Sequence, residues 1–278
     1  SHIKGVIFNQ MSPMLYPRMK KLVEEQLGVE VLGYVPKVED CVIESRHLGL
    51  VLPEEIVDLK ERLQKLARVL EDTLEIDRIL VLAENAPDLN VPGSLSQKNP
   101  AFDFCLPQKL RVGVAKDEAF CFFYEDNFRL LQEMGAELVE FSPVHDAHLP
   151  KDLDGILLYG GYPELNGEAL ERNESMKTEI AQAINSGMPC MAECGGFMYL
   201  HEQMEDMDGI SRKTCGVIPG KCFRTPKLTR FGYITLTAGQ SVFGQNAEEI
   251  GEIPAHEFHY FDSENCGNDF HAAKPLSK

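Results

Sequence analysis

The side chain best suited to covalent chemistry is Cys194, set in Ala192-Glu193-Cys194-Gly195-Gly196 between two apolar runs. A thiol at the point where a buried strand turns sharply into a helix has the pattern of a nucleophile elbow. Small neighbours are needed there so that strand and helix can approach each other. The helix N-terminus would favour a thiolate, and the Gly195 N–H would meet a developing oxyanion. The competing reading is a small, inert core cysteine, the usual fate of a free thiol.

A second feature is "GILLYGGYPEL", an apolar strand ending in Gly160-Gly161 and followed by Tyr162-Pro163-Glu164. Ligands of open α/β sheets bind at the carboxyl ends of strands, and a glycine pair lets backbone amides come close to them. Amides from two such strand ends would form an oxyanion hole for acyl transfer. An ordinary glycine-rich turn is the alternative. A third feature is "AHEFHYFD", where His256 and His259 lie three apart in a strand-like run. Strand alternation sends them to opposite faces, so only one can share a site with the thiol. Thiol acyl transfer needs such a base, which takes the thiol proton and later activates water.

The elements that must carry these residues alternate between strand and helix. Residues 3–9 read as a buried strand. A helix follows with Leu15, Met19, Leu22, Val23 and Leu27 at helical spacing and Gly28 as its stop. "VEVLGYVP" is a second strand, and "PEEIVDLKERLQKLARVLEDTL" a helix with Ile56, Leu59, Leu63, Leu66 and Leu70 on one face. Two strands are too few for a complete sheet, so residues 1–85 read as the end of a larger domain. Residues 86–108, rich in Pro, Asn and Ser without period, read as a linker. Alternation restarts at "KLRVGVAKD" and proceeds through "YEDNFRLLQEMGA", "ELVEFSP", "DGILLYGG" and one long helix "GEALERNESMKTEIAQAINSG". The strand "PCMAE" and a helix from Gly195 follow. "TRFGYITLTA" and "EIPAHEFHYFD" then read as strands, giving a second domain over 109–278 of α/β class.

With 44% hydrophobic and 26% charged residues over 278 positions, the chain can bury a full core. The net charge of −17 argues against a nucleic-acid partner. No apolar run approaches the ~20 residues that span a bilayer, and no secretory leader precedes the first strand, so no membrane partner is expected. Eight cysteines show neither a disulfide framework nor a CxxC pair. A reducing cytoplasm is the expected location.

Taken together, "YGGYPE", "AECGGFMYL" and "HEFHY" resemble the glutamine amidotransferase domain of the cobyrinic acid a,c-diamide synthase family. "GVIFNQ", "VLGYVPK" and "ESRHLGLVLPEE" resemble the later half of that family's ATP-dependent synthetase domain. The resemblance implies a flavodoxin-like amidotransferase domain with a mainly parallel sheet, preceded by part of a P-loop-type α/β synthetase domain. It implies that Cys194 attacks the side-chain amide of glutamine, that His259 is the base, and that the Gly161 and Gly195 amides hold the oxyanion. Tyr162 and Glu164 are candidates for the glutamine pocket. Arg46 and His47 are candidates for nucleotide or corrin contacts, arginine being suited to bidentate anion contacts. ATP and magnesium would activate a carboxylate of cobyrinic acid or a related tetrapyrrole, which ammonia then converts to the amide. A homodimer is one assembly the resemblance allows.

Three points qualify this. No GxxxxGK[ST] phosphate loop occurs in these 278 residues, so this chain is expected to be a piece of a longer enzyme that binds no ATP itself. Its carboxyl end also falls short of the family's. Many amidotransferases place a glutamate two residues after the catalytic histidine; here that position is Phe261. A Cys–His dyad results, and His259 must find its orienting partner elsewhere. The alternatives are a nickel sirohydrochlorin a,c-diamide synthase, a non-catalytic amidotransferase-like binding protein, and a thiol hydrolase acting on peptides or small aldehydes.

Overall fold

The computed structural model describes residues 3–46, 49–88, 109–241 and 245–274. The chain divides into two units, Ser1–Gly93 and Ser94–Lys278. The division falls inside the segment read as a linker, most of which lies outside the described residues.

In the first unit, β1 (Gly5–Asn9), α1 (Tyr16–Leu27) and β2 (Glu30–Val35) form a parallel strand–helix–strand unit. Gly28 ends α1 in the left-handed conformation, its N–H donating to the Glu24 carbonyl. A short hairpin follows, β3 (Ser45–Arg46) against β4 (Gly49–Leu50). The predicted helix starts later than its sequence pattern, because Pro53–Glu55 forms a separate 3₁₀ turn; α2 spans Leu59–Thr73. A helix not foreseen, α3 (Ile76–Glu84), comes next. The Glu75 N–H donates to the Leu32 carbonyl at 2.9 Å, which holds the α2–α3 junction against β2.

The second unit is built on β5 (Leu110–Ala115), α4 (Glu125–Glu133), β6 (Ala136–Phe141) and β7 (Gly155–Leu158). Helices α5 (Gly167–Arg172) and α6 (Glu174–Asn185) precede β8 (Cys190–Ala192) and α7 (Gly195–Tyr199). The four strands pair in parallel in the order β6-β5-β7-β8. That is the start of a flavodoxin-like winding. The single long helix expected over 167–187 is two helices. The Asn173 side chain accepts the Met176 N–H and starts α6 afresh, so a new N-cap interrupts the apolar period. One side of the sheet buries Ala115, Phe120, Phe141, Ile156, Leu158, Leu170, Met176 and Ile180. The other buries Val114, Phe128 and Tyr159.

Beyond α7 the chain changes to mainly antiparallel pairing. β9 (His201–Glu205), β10 (Ser211–Lys213), β11 (Ile218–Arg224) and β14 (Phe261–Ser263) form one sheet in the order β10-β9-β11-β14. β12 (Arg230–Ala238), β13 (Glu252–His259) and β15 (Phe270–Ala273) form another, with β12 central and α8 (Ala247–Ile250) leading into β13. Two strand pairs therefore pass from one sheet to the other, β11 into β12 and β13 into β14. No helix among the described residues is long and apolar enough to cross a membrane.

Candidate active site

Cys194 sits between β8 and α7 with φ 52° and ψ −112°, a backbone conformation that non-glycine residues seldom adopt. The turn is tied on both sides. The Glu193 N–H donates to the Leu158 carbonyl at 2.9 Å, and the Gly196 N–H to the Tyr159 carbonyl at 3.1 Å. Gly196 is obligatory, because a Cβ there would lie 1.9 Å from the Leu158 carbonyl oxygen. A Cβ on Gly195 would meet the Pro163 ring at 2.8 Å and the Gly161 nitrogen at 3.3 Å. The elbow is thus pressed against the end of β7, as its small residues predict.

The Gly160-Gly161 turn is supported from a third segment. Cys121 and Phe122 N–H groups donate to the Gly160 carbonyl at 3.0 and 2.9 Å, and the Tyr162 N–H to Ala119 at 3.0 Å. Asp117 shapes that segment: its carboxylate accepts the Ala119 and Phe120 N–H groups at 2.9 and 3.1 Å, and the Ser142 hydroxyl at 2.7 Å. Sequence reading passed over residues 117–122, although an aspartate followed by small and apolar residues is a turn signal. Tyr162 and Glu164 are enclosed, at 1% and 2% exposure, and the Tyr162 ring packs edge-on against Phe122. Both are buried beside the turn, and the Glu164 carboxylate acts on the Cys194 thiol.

Cys194 is reached by solvent, yet protein is dense around its sulfur. That density pushes the thiol pKa above its ordinary value. The Gly195 amide opposes the shift, the Glu164 and Glu193 carboxylates add to it, and the Gly161 amide opposes it. The expected thiolate-favouring effect of the helix terminus is therefore overridden. The free thiol stays protonated near neutrality and needs a base. The two glycine amides act on the thiol in the sense that favours its anion.

His259 ends β13 on its more buried face together with Ala255 and Glu257, while His256 and Phe258 lie on the opposite, exposed face. The predicted separation of the two histidines holds; His256 stacks edge-on with Phe231 and Tyr233 across the strand pair. The His259 Nδ1 lies 2.6 Å from the Phe261 carbonyl oxygen. A carbonyl only accepts, so Nδ1 carries the proton and Nε2 is left as an acceptor. Glu257, on the same face, is engaged by Arg230 at 4.0 Å and Lys274 at 3.4 Å. No hydrogen bond joins His259 to Cys194 in this state. They are linked through packing: Phe197 and Met198 of α7 share an apolar cluster with Tyr260 and Phe261.

Arg46 falls in β3, opposite Gly49, and its side chain lies outside the described residues, as does His47 altogether. A cavity beside this hairpin is lined by Ile43, Glu44, Val51, Glu55, Asp58 and Arg62 among others. Among the described residues its guanidinium is that of Arg62, which binds Asp58 at 2.8 Å.

A family model described as the CobB/CobQ-like glutamine amidotransferase domain matches residues 111–271. The chain belongs to this family. It is 41% identical over 263 residues to a cobyrinate a,c-diamide synthase of Dehalococcoides mccartyi (strain CBDB1), covering 93% of this chain and 55% of that protein. A cobyrinate a,c-diamide synthase of Caldanaerobacter subterraneus is 36% identical over 261 residues, with the same two shares. Among solved structures, PurLQS from Thermotoga maritima aligns with TM-score 0.43 and 20% identity over 60% of this chain and 76% of that one. The chain spans about half the length of the curated relatives it matches. Within the amidotransferase family, the α/β class and the parallel sheet read from sequence stand as predicted.

Proposed function

We propose that this chain contains the ammonia-generating part of a glutamine-dependent ligase that amidates the a and c carboxylates of cobyrinic acid. The observation that carries the chemistry is the strained Cys194 turn, pressed through Gly195 against Pro163 and the Gly161 nitrogen. The reading of the substrate rests on the relatives' names.

The reaction follows from these atoms. Glutamine would bind with its side-chain amide carbon at Sγ. The His259 Nε2 accepts the thiol proton as sulfur bonds to that carbon, and the carbonyl π pair moves onto oxygen. The oxyanion lies between the two glycine amides, which are preorganised for that charge. Collapse of the intermediate expels the amide nitrogen, to which Nε2–H returns its proton, and ammonia leaves. Water, deprotonated by the same Nε2, then cleaves the glutamyl thioester to glutamate and free thiol. In the longer protein, ammonia would attack a corrin carboxylate that ATP and magnesium have activated. No part of that step is derived from the residues described here.

The test is ammonia release from glutamine by the 278-residue chain, followed by coupled glutamate and ammonium assays. Wild-type activity and a covalent adduct of 6-diazo-5-oxonorleucine on Cys194 are expected. A Cys194→Ala chain that still releases ammonia would refute the assigned nucleophile.

A further inference from the structure

The orienting partner of His259 is a main-chain carbonyl, and a carbonyl can orient an imidazole only if its own peptide is held still. The chain kinks at Tyr260 between β13 and β14, the point where it leaves one sheet for the other. Arg230 pairs with His259 on one side of this corner and Arg224 with Phe261 on the other. Residues 225–229 therefore lie opposite the single residue Tyr260. The β11–β14 ladder begins at the Arg224–Phe261 pair, so the bend at Tyr260 lies just outside its registered pairs.

Thr225 supplies the missing restraint. Its N–H donates to the Tyr260 carbonyl at 2.7 Å, and its hydroxyl oxygen lies 2.7 Å from that same oxygen. The hydroxyl also lies 2.8 Å from the Lys227 carbonyl, so its single proton ties the turn to the corner through one or the other acceptor. The fixed Tyr260 carbonyl sets the plane of the peptide that follows it. The Phe261 carbonyl, one peptide further on, lies against Nδ1 of His259. Other groups near the ring are committed elsewhere. Glu257 faces Arg230 and Lys274, and the Asp262 carboxylate accepts the Ser263 N–H at 2.9 Å and approaches Arg230 at 3.5 Å.

We infer that Thr225 is a positioning residue for His259: it clamps the Tyr260 corner so that the Phe261 carbonyl holds the imidazole with Nδ1 protonated and Nε2 free. This rests on the reading of His259 as the base. It assigns to a threonine hydroxyl and two peptides the task that a carboxylate two residues after the histidine performs in many amidotransferases.

The experiment uses the full chain, uniformly labelled with ¹⁵N, and a long-range ¹H–¹⁵N spectrum of its imidazoles. The His259 signals are identified by their loss in His259→Gln. Wild type should show His259 protonated at Nδ1. Thr225→Val, which keeps the shape and removes the hydroxyl, should mix in the Nε2-protonated tautomer. It should also lower kcat for ammonia release roughly tenfold at unchanged KM for glutamine. Thr225→Ser should restore both. Where valine is not accommodated, Thr225→Ala carries the same test at this half-buried position. A variant lacking the hydroxyl with wild-type tautomer or wild-type kcat overturns the inference, as does a loss that serine shares. Should the wild-type chain release no ammonia, the functional reading fails alone, because the tautomer spectrum still decides the clamp.

Discussion

Burial and two carboxylates keep the Cys194 thiol protonated, against two amides that favour the anion. The sign of the consequence is fixed. Thiolate is the reactive form, so alkylation of Cys194 by iodoacetamide should rise with pH around a midpoint above that of a free cysteine. Removing one of the opposing charges should move that midpoint down: Glu193→Gln is expected to alkylate at lower pH than wild type. A pH–rate series on both proteins, with the adduct located by mass spectrometry, checks this. The other thiols supply an internal control. Cys190, pushed up to about 11, and Cys215, pushed up to about 12, are raised by burial and should stay unmodified over the same range.

At the scale of elements, the β8–α7 elbow depends on contacts a single methyl group would break. Gly196→Ala places Cβ against the Leu158 carbonyl, and α7 or β7 must move to relieve it. Overpacking of this kind costs roughly 3 kcal/mol, visible as a lower urea midpoint. Asn173→Ala removes the side-chain acceptor that starts α6, and a loss of about 1 kcal/mol is expected in the same titration. The elbow, both glycine turns and the face of each histidine were legible in the sequence, because each follows from strand alternation or from a steric need for glycine. The division at Asn173 was not, since the apolar period runs through it and the cap is a single side chain. The Phe261 carbonyl was beyond reach for a deeper reason. Every residue carries a carbonyl, so side-chain identity says nothing about which one turns toward an imidazole. Thr225 was hidden likewise, since its partner lies far along the chain.

Over the whole molecule, charge is unevenly spread. Between Asp208 and Glu248 there is no acidic residue, while Arg212, Lys213, Lys221, Arg224, Lys227 and Arg230 fall in that stretch of a chain with net charge −17. Arg212 is where the two charge populations meet, binding Asp206 at 2.8 Å and Glu171 at 3.3 Å. The Glu171 carboxyl is held below its ordinary range, first by the Lys213 N–H and then by Arg212. Burial works against ionised Asp206, but Arg212 and the Ile210 and Asp208 amides outweigh it and lower that carboxyl too. Folded values below unfolded ones mean stability that is present above the unfolded carboxylate range and lost as pH falls through the folded values. Wild-type Tm should therefore drop on acidification below about pH 4. In Arg212→Met the neutral-pH Tm should be lower and its acid-side decline shallower, which scanning calorimetry across that range would record.

The apolar cluster of Met198, Met204, Cys222 and Phe261 ties the helix that starts beside the sulfur to the bend that carries the imidazole. Sulfur and ring each adjoin, along the chain, a segment resting on this one greasy wedge. Shaving the wedge with Met204→Ala should let sulfur and ring drift out of alignment and cut turnover, with neither reacting group altered. An apolar visitor that refilled the hole should bring turnover back.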